Sequence, residues 1–251
     1  MLAQLIIAIL GISFLIGFTV SCLCKKDSSA WKIFPGFYTF FPAAIAILVA
    51  FFSQKRWSFG DFSYTKFTPL YLFLGFIIPV VLYCISLAVQ LKAGSLKLKT
   101  NIDWKSVLIG IPVNIVMLIF FVAGEEIGWR GFLQTPLINT FGVVGGLILL
   151  GLIWGIWHAP IALRGHNLKS DFWAETFVLY PVMCILYSFP LAFLTIESGS
   201  IWPALVFHAT NNTIGSIGTL IAEPQNTKRQ VLLTLATGSV LLSPFVVMLA
   251  F

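Results

Sequence analysis

Eight long runs of apolar residues limit what this chain can fold into. A helix needs roughly 20 apolar residues to cross the hydrocarbon core of a bilayer, which is about 30 Å thick. Only 10% of the residues are charged, against about a quarter in a soluble domain, so lipid has to be the solvent. The runs are 2–22, 34–52, 69–91, 106–133, 143–163, 177–196, 201–221 and 230–251.

Spans in this membrane protein have to be helices, because an open strand edge leaves backbone N–H and C=O groups unpaired in lipid. The sequence therefore predicts an all-α, polytopic helical bundle with about eight transmembrane helices. Pro42 interrupts the second run, so part of that run is expected at the membrane interface. No linker separates the runs, which predicts a single transmembrane domain over residues 1–251.

Basic residues are distributed unevenly over the loops, which we number by the runs that they join. Loops 1–2, 3–4, 5–6 and 7–8 hold Lys25, Lys26, Lys32, Lys92, Lys97, Lys99, Lys105, Arg164, Lys169, Lys228 and Arg229, whereas the opposite side holds only Lys55, Arg56 and Lys66. Because cytoplasmic loops carry the excess of Lys and Arg, the larger set is expected in the cytoplasm, with both termini outside. The net charge of +6 then reflects a surface that faces membrane lipid rather than nucleic-acid binding.

Two adjacent acids, Glu125 and Glu126, lie inside the fourth apolar run, and Arg130 follows them. A charge at the centre of a membrane helix costs about 2.5–3.5 kcal/mol on insertion scales. The presence of three charged residues within an apolar run therefore requires a structural or functional explanation. Glu126 and Arg130 are spaced i, i+4 with the acid first, the favoured order for a helical ion pair. We interpret them as a structural pair. Glu125 is turned about 100° away and is expected to face the interior of the bundle.

The three histidines differ in their surroundings. His166 is expected in a solvated loop, whereas His158 and His208 lie on apolar helices. The fourth and fifth runs are joined near residues 139–142 and so form an antiparallel hairpin. Because Glu125 and His158 are equidistant from this turn, the sequence predicts that their side chains lie at the same depth.

His208 and Asn212 are spaced i, i+4 on the seventh run and so share one helix face, whereas Asn211 is expected to point elsewhere. An imidazole beside a carboxamide offers two hydrogen-bond donors that converge on one place. Such donors stabilise the oxyanion that develops during acyl transfer. The pair is therefore a candidate oxyanion hole.

Three motifs on these helices resemble a known family. Glu125 to Arg130 fits EExxxR, Trp154 to His158 resembles FxxxH, and His208 to Asn212 fits HxxxN. Their order and spacing are similar to those of the CAAX prenyl protease and bacteriocin-processing (CPBP) family of intramembrane endopeptidases. The resemblance covers residues 106–218, the motif-bearing core. Trp154 replaces the phenylalanine of the second motif, and we expect this replacement to change packing more than chemistry.

The resemblance implies a role for each motif residue. Glu125 and His158 would hold and activate the hydrolytic water, His208 and Asn212 would form the oxyanion hole, and the acid–arginine pair would hold its helix in place. The implied substrate is a peptide or lipidated peptide, cut near the cytoplasmic face of the membrane. The compact single-domain form predicts a multi-pass protein of a prokaryotic plasma membrane.

Metal dependence and two other functions are alternatives on the same residues. Glu125, His158 and His208 form a His₂Glu set of the kind that catalytic zinc uses, although the resemblance equally allows a water activated by glutamate without a metal, which we favour. The same scaffold would also suit a non-proteolytic role in bacteriocin immunity or lipoprotein modification. A transporter or proton pathway is a third reading of buried Glu and His residues, but the inverted repeats typical of transporters are not evident in the sequence.

Overall fold

The computed structural model describes residues 2–25, 28–52, 66–163 and 175–250, so His166 lies outside the described residues. The predicted all-α polytopic bundle is confirmed, because the described chain is helical almost throughout. The α-helices are α1 Leu2–Leu23, α2 Ser29–Tyr38, α3 Phe41–Phe52, α4 Pro69–Lys92, α5 Trp104–Glu126, α6 Thr135–Trp157, α7 Ala159–Ala162, α8 Tyr180–Ser198, α9 Trp202–Ile221 and α10 Thr227–Ala250. Two π-helical segments, Ile127–Gln134 and Glu175–Leu179, precede α6 and α8.

Membrane spans can be counted within the described ranges. Five helical stretches are long and apolar enough to cross a bilayer: Leu2–Leu23, Pro69–Lys92, Trp104–Ala162, Thr176–Ser198 and Lys228–Leu249. The pair α2 and α3, bent by 51°, makes a sixth candidate. The chain is therefore an integral, multi-pass membrane protein.

The number of candidate spans, five helical stretches and one bent pair, is smaller than the eight predicted runs for two reasons. The stretch Trp104–Ala162 contains two of the runs, which separate at Gly142, where φ is 73° and ψ is 169°. A positive φ favours glycine because it has no Cβ, so Gly142 makes the turn that was predicted at 139–142. The other run is α9, whose interior carries His208 and two asparagines and which is not among the helices long and apolar enough to cross a bilayer.

A short antiparallel ribbon was not predicted from the sequence. Strand β1 (Leu96–Leu98) pairs with β2 (Ala222–Pro224), with Lys97 opposite Glu223. Beside the ribbon, the Lys99 ammonium donates a hydrogen bond to the backbone oxygen of Thr219. The ribbon joins loop 3–4 to loop 7–8, so these two loops lie on the same side of the bundle, as the distribution of basic residues predicted.

Glycines on α6 allow this helix to pack closely against α8. A Cβ atom added at Gly151 would overlap the backbone of Ile185, and one added at Gly155 would overlap Pro181. Small residues of this kind let membrane helices approach to backbone contact. Helix α6 is therefore held tightly against α8, which fixes the position of the side chains on its other faces.

Candidate active site

The two adjacent acids lie at the junction where α5 passes into the π-helical segment. Single π-helical turns inside α-helices are rare and are frequent at functional sites. Both carboxylates are buried, with 4% of Glu125 and none of Glu126 exposed. Buried charges need partners, and the two acids find theirs on different helices.

Glu125 faces α6. Its Oε2 atom accepts a hydrogen bond from the indole Nε1 of Trp154 at 2.7 Å. The same oxygen lies 4.0 Å from Nε2 of His158. The predicted equal depth of Glu125 and His158 across the hairpin is thus confirmed.

The ring of His158 is held in one orientation. Its Nδ1 lies 2.9 Å from the backbone oxygen of Trp154, and because a carbonyl oxygen only accepts, Nδ1 carries the proton. The ring stacks on Tyr180 at 4.8 Å between centroids and meets the edge of Trp157 at 4.9 Å. In the neutral ring, Nε2 is then a hydrogen-bond acceptor directed towards Glu125.

Glu126 joins α5 to both the π-helical segment and α9. The Arg130 Nε atom lies 3.2 Å from Glu126 Oε2, which confirms the predicted ion pair, although the two groups lack the alignment of a hydrogen bond. On the other side, His208 Nδ1 donates to Glu126 Oε1 at 2.8 Å. All three side chains are buried.

The bond between Glu126 and His208 was missed in the sequence. The two residues are 82 positions apart, and helical spacing relates only residues on one helix. Glu126 therefore has two partners rather than one, and the second partner is a residue of the candidate oxyanion hole.

Trp154 lies at the centre of these contacts. The expectation that it changes packing more than chemistry did not include one contact: its indole N–H donates to Glu125, and a phenylalanine has no such donor. Its ring also lies 5.0 Å from the guanidinium carbon of Arg130 and 5.3 Å from the His208 ring. One side chain thus contacts both halves of the site.

Asn212 lies one helical turn beyond His208 on α9 and is half-buried. Its neighbour Asn211 donates from Nδ2 to Asn212 Oδ1 at 3.3 Å, a contact that was not predicted. This bond uses the carboxamide oxygen of Asn212, whose amide nitrogen can donate to another group. Asn211 otherwise points elsewhere, as predicted, because it lines a cavity of about 440 Å³ between α4, α8, α9 and α10 that neither His208 nor Asn212 lines.

The donor set proposed for zinc does not come together as metal ligands. Within the described ranges, no group of three His, Cys, Asp or Glu side chains has the arrangement that a metal ion needs. Of the set Glu125, His158 and His208, both histidines direct Nδ1 to an acceptor within the protein, so Nε2 is the ring atom that each has left for another partner.

Comparison with known proteins agrees with the motifs. Residues 107–214 match the family model described as type II CAAX prenyl endopeptidase Rce1-like. A curated relative, CAAX prenyl protease 2 of Methanococcus maripaludis, is 25% identical over 123 residues, which is 47% of this chain and 44% of the relative. The chain thus aligns with less than half the length of this relative, and the match confirms the resemblance to the CAAX protease family.

Proposed function

We propose, from the place of the 107–214 core in the CAAX prenyl endopeptidase family, that this chain is an intramembrane endopeptidase of a prokaryotic plasma membrane. Its site would hydrolyse a peptide bond near the cytoplasmic face. The observation that carries the proposal is the pair Glu125 and His158, buried and 4.0 Å apart.

The nucleophile in this proposal is a water molecule bound by Glu125 and His158. An ionised carboxylate accepts hydrogen bonds only, and His158 Nε2 is an acceptor in the tautomer that its bond to the Trp154 carbonyl selects. Two acceptors cannot bond to each other, whereas water has two O–H donors and satisfies both. The water oxygen then attacks the peptide carbonyl carbon while one water proton passes to Glu125.

The oxyanion that this attack creates would be stabilised from α9. The amide nitrogen of Asn212 is one donor, and Nε2 of His208 is the other. Because Nδ1 of His208 already donates to Glu126, donation from Nε2 requires that both ring nitrogens carry protons. A carboxylate beside the ring favours this charged form. Collapse of the tetrahedral intermediate breaks the C–N bond, and the proton on Glu125 moves to the departing amine.

The proposed substrate is a peptide or a lipidated peptide that reaches the site within the bilayer. The 440 Å³ cavity that Asn211 lines supports this class, because Asn211 is bonded directly to Asn212 and the cavity continues along α9 to Thr219 beside the ribbon. A pocket of 300–1,000 Å³ is typical for small ligands. We propose that this cavity receives part of the substrate next to the cut bond.

Comparative peptidomics tests this function in cells that carry the wild type or Glu125→Ala. We expect membrane peptides that depend on the wild type to disappear in Glu125→Ala and also in His158→Ala. Purified protein should show a fall in kcat of about 10²- to 10⁴-fold for Glu125→Ala, the usual contribution of a general base.

The matched control is Glu223→Ala, because Glu223 is an exposed acid on β2, remote in sequence from the motifs. It should cleave as the wild type does. Full turnover by Glu125→Ala would refute the mechanism. If Glu125→Gln supports the physiological role as well as the wild type, a non-proteolytic function such as bacteriocin immunity replaces the proposal.

A further inference from the structure

Trp154 occupies the position at which the FxxxH motif has phenylalanine, and it is buried, with 3% of its surface exposed. Two features of this residue bear on the reacting groups. The indole N–H donates to Glu125 Oε2 at 2.7 Å, and the backbone oxygen accepts from His158 Nδ1 at 2.9 Å. One residue therefore orients both groups that we propose to bind the water.

The hydrogen bond to Glu125 is strong by its chemistry. It joins an N–H donor to a carboxylate, and such charge-assisted bonds are roughly twice as strong as neutral ones. It also lies in a buried site, where little water competes for the carboxylate. Because Oε2 accepts from the indole, the carboxylate is restrained in rotation, with this same oxygen held 4.0 Å from Nε2 of His158.

The ring of Trp154 connects the two halves of the site. Arg130 lies over one part of the ring at 5.0 Å, a distance at which a guanidinium and an indole attract each other. The His208 ring meets it edge-on at 5.3 Å. A phenylalanine would keep most of this ring packing, but it would lose the bond to Glu125.

We propose that Trp154 is a positioning residue, which fixes the carboxylate of Glu125 through its indole N–H and so aligns the proton acceptor with the hydrolytic water. This inference rests on the proposed peptidase function. It predicts an effect on the chemical step rather than on substrate binding, because Trp154 acts on Glu125 and the cavity beside Asn211 does not include it.

Trp154→Phe tests the proposal in the full-length protein in detergent. We expect kcat to fall about 10- to 100-fold, the range for loss of a hydrogen bond to a charged group, with KM changed less than about twofold. A loss confined to kcat indicates an interaction that matters in the transition state. Trp154→Tyr serves as a second variant if Trp154→Phe does not fold.

Trp31→Phe is the matched control. Trp31 is a buried tryptophan on α2 that stacks on Phe34, outside the candidate site. The substitution removes the same indole without removing a contact to Glu125 or His158. We expect it to lower the melting temperature but to leave kcat within about threefold of the wild type.

A spectroscopic measurement tests the bond without any substrate. In protein labelled with ¹⁵N-tryptophan, the indole N–H resonance of Trp154, identified by its loss in the Trp154 variants, should shift in Glu125→Ala and stay in place in Glu223→Ala. An unmoved resonance, or a Trp154→Phe variant with the kcat of the wild type, overturns the inference. If the resonance moves but no preparation cleaves any peptide, the bond is supported and the peptidase proposal fails.

Discussion

The buried trio of Glu126, Arg130 and His208 predicts that a double variant is more stable than one of its two single variants. Glu126→Gln removes the negative charge that lies between two positive partners, and Arg130→Met removes one of those partners. At 3.2 Å, a unit charge pair is worth about 5 kcal/mol for an effective dielectric constant of about 20. Breaking a buried pair from one side costs about 3–5 kcal/mol, because the other charge is left buried and uncompensated.

The two single variants should not be equally unstable. Glu126→Gln leaves the Arg130 guanidinium, which is fully buried, without its ion-pair partner. We therefore expect a loss of about 3–5 kcal/mol. Arg130→Met leaves Glu126 its bond from His208, so we expect a smaller loss of about 1–3 kcal/mol. The double variant leaves no guanidinium buried without a counter-charge and should be more stable than Glu126→Gln alone.

Unfolding in SDS titrations and thermal melting in detergent measure these differences, with the exposed Glu223→Gln as the control. Peptide cleavage adds a second readout, since Arg130→Met keeps the partner of His208 and should retain more activity than Glu126→Gln. If the two single losses simply add and the double variant is the least stable, the three side chains are not coupled as described. The coupling energy follows from the double-mutant cycle.

Three further predictions concern metal, substrate space and packing. Exhaustive chelation should leave peptide cleavage within about twofold, as measured with and without added zinc, and activity restored by zinc alone would contradict the metal-free mechanism. Gly215→Leu should raise KM several-fold, because the leucine side chain would enter the cavity that Gly215 lines. Its melting temperature should change little, because a Cβ at Gly215 meets no heavy atom within 4 Å. The control is Gly11→Leu on α1, where a Cβ is equally unobstructed and KM should stay unchanged. Gly151→Ala should destabilise the protein by about 1–3 kcal/mol through overpacking against α8, whereas Gly145→Ala on the same helix meets only ordinary contacts and should be neutral or stabilising in the same melting assay.

The amino-acid sequence is enough to predict the solvent, the fold class and the contacts between residues on one helix or one hairpin. Apolar runs of membrane length leave a helical bundle as the solution, and i, i+4 spacing identifies Glu126 with Arg130. The turn at 139–142 places Glu125 level with His158, and the structure gives 4.0 Å between them. These predictions succeeded because each depends on local geometry that repeats along the chain.

The contacts between helices that are distant in sequence became visible in the folded chain. The bond from His208 to Glu126 depends on the depth and rotation of α9 against α5, and no spacing in the sequence relates the two helices. The indole of Trp154 could be recognised as a donor from its chemistry alone, but its acceptor became known only when packing brought α6 against α5. Side-chain direction across a helix interface is set by the fit of both surfaces, and this is the physical reason that the site's hydrogen bonds had to come from the folded chain.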